Sequence, residues 1–410
     1  MAASTAQPIL ILGGFLIGIG ALACLGLLAL LAGQERVVRL APQLLAPAGD
    51  GAAAEPPPGE RLTVVVPAYN EADNIGPCVA AVLASQAVPA RWDLLVVNDG
   101  SDDDTAALAE AAARQDPRFA LLEAGPRPPG EHWVGKNWAC ARAADLLLHG
   151  ADPPAWLLFV DADLRLTPTA LSWALADARH NGADLLTLAP RLVCGCLAEW
   201  LVQPIIASLL CLGFPIQRAN DPADPLAFAA GPFMLFRTGA YQAVGGHRAV
   251  AGEVVEDLAL GRRIKGAGLR LRYLLALHQL NLRMYRDLAA LWEGWTKNWF
   301  LGLDASVPKA LAAAAVVLLL FAGPWALLLS SAVLALAQQP AGAVLALALL
   351  GISLQATLRL WSAWRFGLPL RWWWLCWAGA LLIGAIAPVS VFRTLTGRGW
   401  TWRGRRLAQP

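Results

Sequence analysis

Several short stretches of this chain carry acids, amides and a lysine in patterns that could handle a phosphate, a cation or a proton. Pro67-Ala68-Tyr69-Asn70-Glu71 and Asn98-Asp99-Gly100-Ser101 each close a short β-branched run and open a helical one. A strand-to-helix turn offers backbone N–H groups for phosphates and side-chain acids or amides for a base and a ribose. Taken singly, each is also an ordinary turn with a helix cap. Neither fits the glycine-rich loops of common dinucleotide folds or P-loop kinases.

Farther on, Trp156 to Val160 runs straight into Asp161-Ala162-Asp163, where alternation turns both carboxylates to one side. Two acids at an apolar strand end are costly unless a cation or a donor pairs them. A hard divalent ion, Mg2+ or Mn2+, would satisfy them and bridge a diphosphate, steadying it as a leaving group. The alternative is a solvated loop in which Asp163 caps the next helix. Glu253-Val254-Val255-Glu256-Asp257 stands before a second helical run, with Arg262, Arg263 and Lys265 behind it. Such acids often only complement a helix dipole; the chemical reading makes Asp257 a proton acceptor for an acceptor hydroxyl, with Glu256 beside it. Gly231-Pro232-Phe233-Met234 and Gly245-Gly246-His247 describe a tight, glycine-rich wall for that pocket.

The elements that would position these residues alternate. Strands are expected at Leu62 to Val66, Leu94 to Val97, Phe119 to Glu123 and Trp156 to Val160, and helices at Asn74 to Ser85, Asp104 to Arg114, Lys136 to Leu148 and Pro168 to Asn181. Such alternation predicts an α/β domain, a parallel sheet with helices on both faces, whose ligands gather beyond the carboxyl ends of the strands.

Outside this region the composition changes. Of 410 residues 57% are hydrophobic and only 15% charged, with the apolar excess at the two ends. That is the pattern of a membrane protein with a polar middle. Pro8 to Leu31 is uncharged, long enough to span, and followed by Arg36 and Arg39, which predicts a retained anchor with the catalytic side cytoplasmic. Ala310 to Ala337, Ala341 to Leu358 and Trp372 to Phe392 are three further candidate spans, none containing a charged residue as drawn. Three alternating spans would put Arg393, Arg398, Arg403, Arg405 and Arg406 outside, against the positive-inside tendency. A re-entrant or interfacial segment among the three, first of all the last with its Trp372-Trp373-Trp374 cluster and Pro388, would resolve the conflict, which leaves the number of spans open. Trp200 to Ile216 is apolar but interrupted, and is expected as an interfacial helix. The domain order is therefore an anchor over 1–45, a linker over 46–60, a catalytic domain over 61–305 and membrane segments with a basic tail over 306–410. The net charge of +2 and the lack of a basic, aromatic-interleaved stripe argue against nucleic acid. Seven cysteines without paired spacing point to free thiols.

In order along the chain, Pro67 to Glu71, Asn98 to Ser101, Asp161-Ala162-Asp163 and Glu256-Asp257 resemble the motifs of inverting family 2 glycosyltransferases with a GT-A fold, a Rossmann-like mixed sheet. The resemblance implies a nucleotide-sugar donor, with the first motif, including Pro67 and Asn70, around the nucleotide. It implies that Ala68, Glu71 and Asp99 touch base and ribose, that Asp161 contacts the nucleotide, that Asp163 ligates the divalent metal and that Asp257 is the base. Gly135-Lys136-Asn137 resembles a segment of the lipid-modifying branch, where Lys136 would neutralise donor phosphates. Processive synthases and ceramide glucosyltransferases carry Gln/Arg-x-x-Arg-Trp; here Arg283-Met284-Tyr285-Arg286-Asp287 lacks the tryptophan, leaving Arg286 as a phosphate candidate and Trp295 as an acceptor-site candidate. The segment from Trp292 to Asn298, with the anchors, looks most like the hopanoid-associated glycosyltransferases of bacteria, implying a lipid acceptor and a multi-pass protein of the bacterial inner membrane. Polyprenyl-phosphate, ceramide-type and polysaccharide-forming transferases stand as alternatives, as does a non-catalytic receptor or transporter on the same scaffold.

Overall fold

The computed structural model describes residues 3–47, 59–368 and 370–407, so most of the 46–60 linker lies outside it. Two compact units make up the chain. One comprises Met1–Arg39, Cys194–Gly213 and Tyr285–Arg398; the other comprises Leu40–Val193, Phe214–Met284 and Gly399–Pro410. Neither unit is one continuous stretch: the segments 61–305 and 306–410 each contribute to both.

The second unit is built on strands β1 (Arg61–Ala68), β2 (Arg91–Asn98), β3 (Phe119–Glu123), β4 (Trp156–Val160), β5 (Leu164–Leu166), β6 (Leu185–Ala189), β7 (Arg191–Leu192), β8 (Phe233–Arg237), β9 (Leu271–Leu275), β10 (Leu280–Leu282) and a terminal hairpin, β11 (Trp400–Trp402) with β12 (Arg405–Leu407). The main sheet has the order β3-β2-β1-β4-β8-β6-β9. Its neighbours are parallel except β8, which is antiparallel to both β4 and β6. The sheet is therefore mixed, as the family resemblance implied, and not parallel throughout as alternation alone suggests, because the chain leaves β6 through a long excursion and returns as β8 between β4 and β6.

The run Val64-Val65-Val66 shows why β1 is central. Alternate side chains point to opposite faces, and all three are fully buried. Val64 and Val66 join Leu94, Val96, Leu158 and Val160 in one core. Val65 joins Leu95, Val97, Leu157 and Phe159 in the other. Burying each such side chain contributes roughly 1.5–3 kcal/mol. The helices covering these faces include α2 (Ala72–Leu83), α3 (Thr105–Ala113), α4 (Asn137–Leu148), α5 (Ala170–His180), α7 (Ile216–Asn220), α8 (Thr238–Ala243) and α9 (Glu256–Gly266). Because β1 pairs Ala68 with Asn98 of β2 and runs parallel to β4, the first three motifs emerge at one sheet edge.

The first unit is helical: α1 (Ala3–Leu40), α6 (Leu197–Gly213), α10 (Leu288–Gly302), α11 (Val307–Val317), α12 (Gly323–Leu336), α13 (Gly342–Phe366) and α14 (Cys376–Leu395), with one π-turn, Leu318–Ala322, between α11 and α12. Four helical stretches, Ile11–Leu40, Val307–Leu336, Gly342–Phe366 and Trp373–Leu395, are long and apolar enough to cross a membrane. The expectation of uncharged spans fails at α13, which continues past Leu358 and carries Arg359 and Arg365. Arg365 pairs with Glu35 at the end of α1, Nη2 lying 2.6 Å from Oε1, so the charges that bounded the sequence-based spans close on one another. The start of α14 sits beside the middle of the bundle, with Cys376 Sγ 3.1 Å from Gln355 Oε1, and its end sits beside α10, where Ser390 Oγ accepts from the Phe300 N–H.

Candidate active site

Two turns close the carboxyl-end edge of the sheet, and each is fixed by the other. Asn70 adopts a left-handed φ of 52°; its N–H donates to Ser101 Oγ at 3.0 Å, and its Oδ1 accepts from the Asp102 N–H at 3.1 Å. Glu71 N–H donates to Thr105 Oγ1 at 2.8 Å, and Asp99 N–H donates to the Ala68 carbonyl at 2.8 Å. Asn98 Nδ2 donates to the Glu123 carboxylate, 2.9 and 3.0 Å from its two oxygens, so it serves the sheet edge. Pro67, Ala68, Asn70, Glu71 and Asp99 are thereby brought together.

Lys136 ties this edge to the proposed proton acceptor. Its ammonium contacts Asp161 Oδ1 and lies 3.1 Å from Glu256 Oε1. Burial pulls the Lys136 pKa down, but the Asp161 and Glu256 carboxylates outweigh it and hold the ammonium well above its usual value. The lysine is aimed by its neighbour. Asn137, buried, donates to the carbonyls of Val250 at 2.8 Å and Glu253 at 2.9 Å, stapling the turn onto the loop that leads into α9.

Asp257 stands at the first turn of α9, with Oδ2 accepting from the Gly231 N–H at 2.9 Å and Oδ1 from the Leu258 N–H at 2.7 Å. A Cβ on Gly231 would lie 2.7 Å from Asp257 Oδ2, so only glycine permits this approach. Burial, then the adjacent Glu256 carboxylate, push Asp257 up to about 7, against the opposing pull of Lys136 and the two N–H donors.

Asp163 has Oδ1 buried without a hydrogen-bond partner. Burial, then Asp161 and Glu71, hold its pKa well above the carboxylate range. An orphaned carboxylate oxygen facing other acids is what a cation would satisfy. Among the described residues no cluster of three ligating side chains exists. The fit is therefore to an ion such as Mg2+ or Mn2+ held by one or two carboxylates, with phosphate and water completing its shell.

Three cations at this edge are not apparent from the motifs. Arg127 Nη2 lies 2.8 Å from Asp99 Oδ2. From the terminal hairpin, Arg405 Nη1 lies 2.5 Å from the same oxygen, and its guanidinium stacks 3.6 Å from the Tyr69 ring centre. Arg403 Nη2 lies 2.8 Å from Glu71 Oε1. In the sequence Arg403 and Arg405 read only as tail charge, and Arg127 belongs to no motif. Arg286 and Trp295 belong to the other unit. Trp295 is buried, donates Nε1–H to Gln203 Oε1 at 2.9 Å and packs edge-on to Tyr285, so its indole is engaged in the helical core. Arg286 is exposed just ahead of α10.

With this geometry in place, residues 63–245 match the family model described as glycosyl transferase family 2. That stretch reads as a glycosyltransferase domain. The chain is 28% identical over 263 residues to the 4,4'-diaponeurosporenoate glycosyltransferase of Staphylococcus aureus, covering 63% of this chain and 66% of the relative. The match thus spans slightly under two thirds of that relative. Among solved structures, the mannosyltransferase PcManGT from Pyrobaculum calidifontis, in complex with GDP-Man and Mn2+, superposes with a TM-score of 0.53 at 19% identity, covering 93% of this chain and 99% of that one. The shared fold is GT-A, as the motif resemblance implied. Similarity to a hopanoid-associated transferase in particular does not emerge among these relatives.

Proposed function

We propose that the protein transfers one sugar, with inversion, from a nucleotide-sugar, a UDP-sugar, to a lipid acceptor at the inner membrane of a bacterium. The observation that carries this reading is the Lys136 bridge, which holds the Asp161-Ala162-Asp163 strand end against Glu256-Asp257. Donor leaving group and acceptor base would otherwise belong to separate elements. In the family whose model residues 63–245 match, such acids serve a nucleotide-sugar; the relative acting on diaponeurosporenoate and the four apolar helices favour a lipid acceptor.

In this mechanism Asp257, held open by Gly231, takes the proton of the acceptor hydroxyl as that oxygen attacks the anomeric carbon. Asp99, Glu71, Ala68, Asn70 and Pro67 seat the nucleotide, and Asp161 faces it through Lys136. A divalent ion at Asp163 would neutralise the departing diphosphate. A dianion entering a ring of acids needs further positive charge, which Lys136 and Arg403 supply; Arg405 and Arg127 keep the Asp99 carboxylate in place. Barrier lowering then comes from positioning and fixed charge.

We assign the catalytic unit and tail to the cytoplasmic face. Gly399–Pro410 belongs to the catalytic unit, and α14 starting at mid-bundle favours a re-entrant last segment over a full crossing, which fits the positive-inside tendency. A hopanoid or related polycyclic lipid is the finer acceptor proposed. Mass spectrometry of the lipid labelled by each nucleotide-sugar tests it: one hexose on a hopanoid supports it, and label on a polyprenyl phosphate, a ceramide-type lipid or a growing polymer overturns it.

A further inference from the structure

A narrow pocket of about 20 Å3 within the helical unit is lined by Trp200, Ser208, Gln355, Arg359, Ser362 and Trp372, among others. Its glutamine and serines are hydrogen-bonded, whereas its arginine is not. Gln355 Nε2 donates to the Leu320 carbonyl at 2.7 Å and the Phe321 carbonyl at 3.2 Å, which the π-turn frees from helical bonding, and its Oε1 accepts from Trp325 Nε1–H at 2.9 Å. Ser362 Oγ donates to the Leu358 carbonyl and Ser208 Oγ to the Pro204 carbonyl. Arg359 is the exception. Its side chain is 8% exposed, and Nε and Nη2 are both buried without a hydrogen-bond partner.

Those two donors form one edge of the guanidinium, the edge that grips a carboxylate side-on. Elsewhere in this chain that edge is closed by an acid: Arg272 holds Asp177 through Nε and Nη2, and Arg365, six residues beyond Arg359, holds Glu35 in the same way. No carboxylate among the described residues does this for Arg359. A buried, unpaired cation in an apolar helix bundle is strongly unfavourable, and a neutral hydroxyl would not offset that cost. The tryptophans and leucines around it suit a hydrocarbon chain.

We propose that this pocket binds the acidic head of a membrane amphiphile, a carboxylate or phosphate oxyanion on an apolar chain, gripped by Nε and Nη2 of Arg359. The inference concerns binding alone and stands independently of the transfer reaction. It is tested by native mass spectrometry of the full-length protein released from nanodiscs of phosphatidylcholine containing a minor fraction of either phosphatidylglycerol or oleate. Wild-type protein is expected to retain one anionic lipid, and Arg359→Gln to retain about tenfold less, the loss expected for removing a charge-assisted bidentate contact. Arg359→Lys, which keeps the charge but not the two-donor edge, is expected to retain an intermediate amount. The phosphatidylglycerol and oleate arms tell a phosphate head from a carboxylate. Equal retention by wild type and Arg359→Gln at matched melting temperatures overturns the proposal. So does complete displacement by inorganic phosphate, which would reduce the site to one for a free anion. Should Arg359→Gln melt early, the same lipids are titrated against thermal unfolding of wild type and Arg359→Lys. A rise in melting temperature with anionic but not zwitterionic lipid supports the site, and no difference between the lipids overturns it.

Discussion

Lys136 is the residue on which the two halves of the candidate site meet. Without its ammonium, Asp161 and Glu256 would face each other uncompensated near Asp163 and Asp257. Lys136→Met is therefore expected to lower donor turnover by about a hundredfold or more, the scale of losing a fixed charge partner in a closed site, with steady-state kinetics as the measurement. Asp257 gives a second residue-level expectation. Its carboxyl is raised to about 7, chiefly by burial and then by Glu256, and only the deprotonated form accepts a proton. Transfer should therefore be full above that pH and fall tenfold per pH unit below it; a rate flat from pH 5 to 8 would remove Asp257 from the role. Asp257 and Asp163 were legible from the sequence because acids at strand and helix ends carry their own chemical signal. Asn137 was not, since nothing in its type reveals that three backbone carbonyls, those of Val250, Ala251 and Glu253, converge on its amide.

Among the elements, the terminal hairpin changes the account most. Arg403 reaches Glu71 and the Asn70 carbonyl from more than 300 residues away in sequence, a distance no local pattern bridges. Arg403→Ala is expected to raise the donor KM about tenfold, as for loss of one charge-assisted contact, while leaving the melting temperature near wild type; donor titration checks both. Within the helical unit, α14 crosses α6 so closely that a Cβ on Gly379 would lie 2.0 Å from the Leu201 carbonyl. Small residues permit such approaches between membrane helices. Gly379→Leu should displace α14 and cost several kcal/mol, seen as a fall in detergent-solubilised melting temperature of many degrees, whereas Gly379→Ala should cost less. The strands of the parallel half of the sheet were readable because β-branched runs such as Val64-Val65-Val66 leave little choice. The antiparallel β8 was not, because a period-two run is silent about direction.

For the whole molecule, the division into units explains why composition located the apolar helical part but not its full extent. Apolar runs marked α1, α6 and the helices after Val307, yet α10 also belongs to that unit, and the tail after Gly399 belongs to the other. Charge counting had drawn the third span short at Leu358, whereas α13 continues to Phe366 because Arg365 is neutralised by Glu35. The account's central claim is that the acids gathered by Lys136 perform a single sugar transfer to lipid. It is tested most directly by incubating purified protein, in bacterial lipid, with radiolabelled nucleotide-sugar and Mn2+, and comparing wild type with Asp257→Asn. Label in the lipid fraction from wild type, lost in Asp257→Asn while nucleotide binding persists, is the predicted result. Equal labelling by the two proteins, or nucleotide binding with no labelled lipid from wild type under any donor, would contradict it.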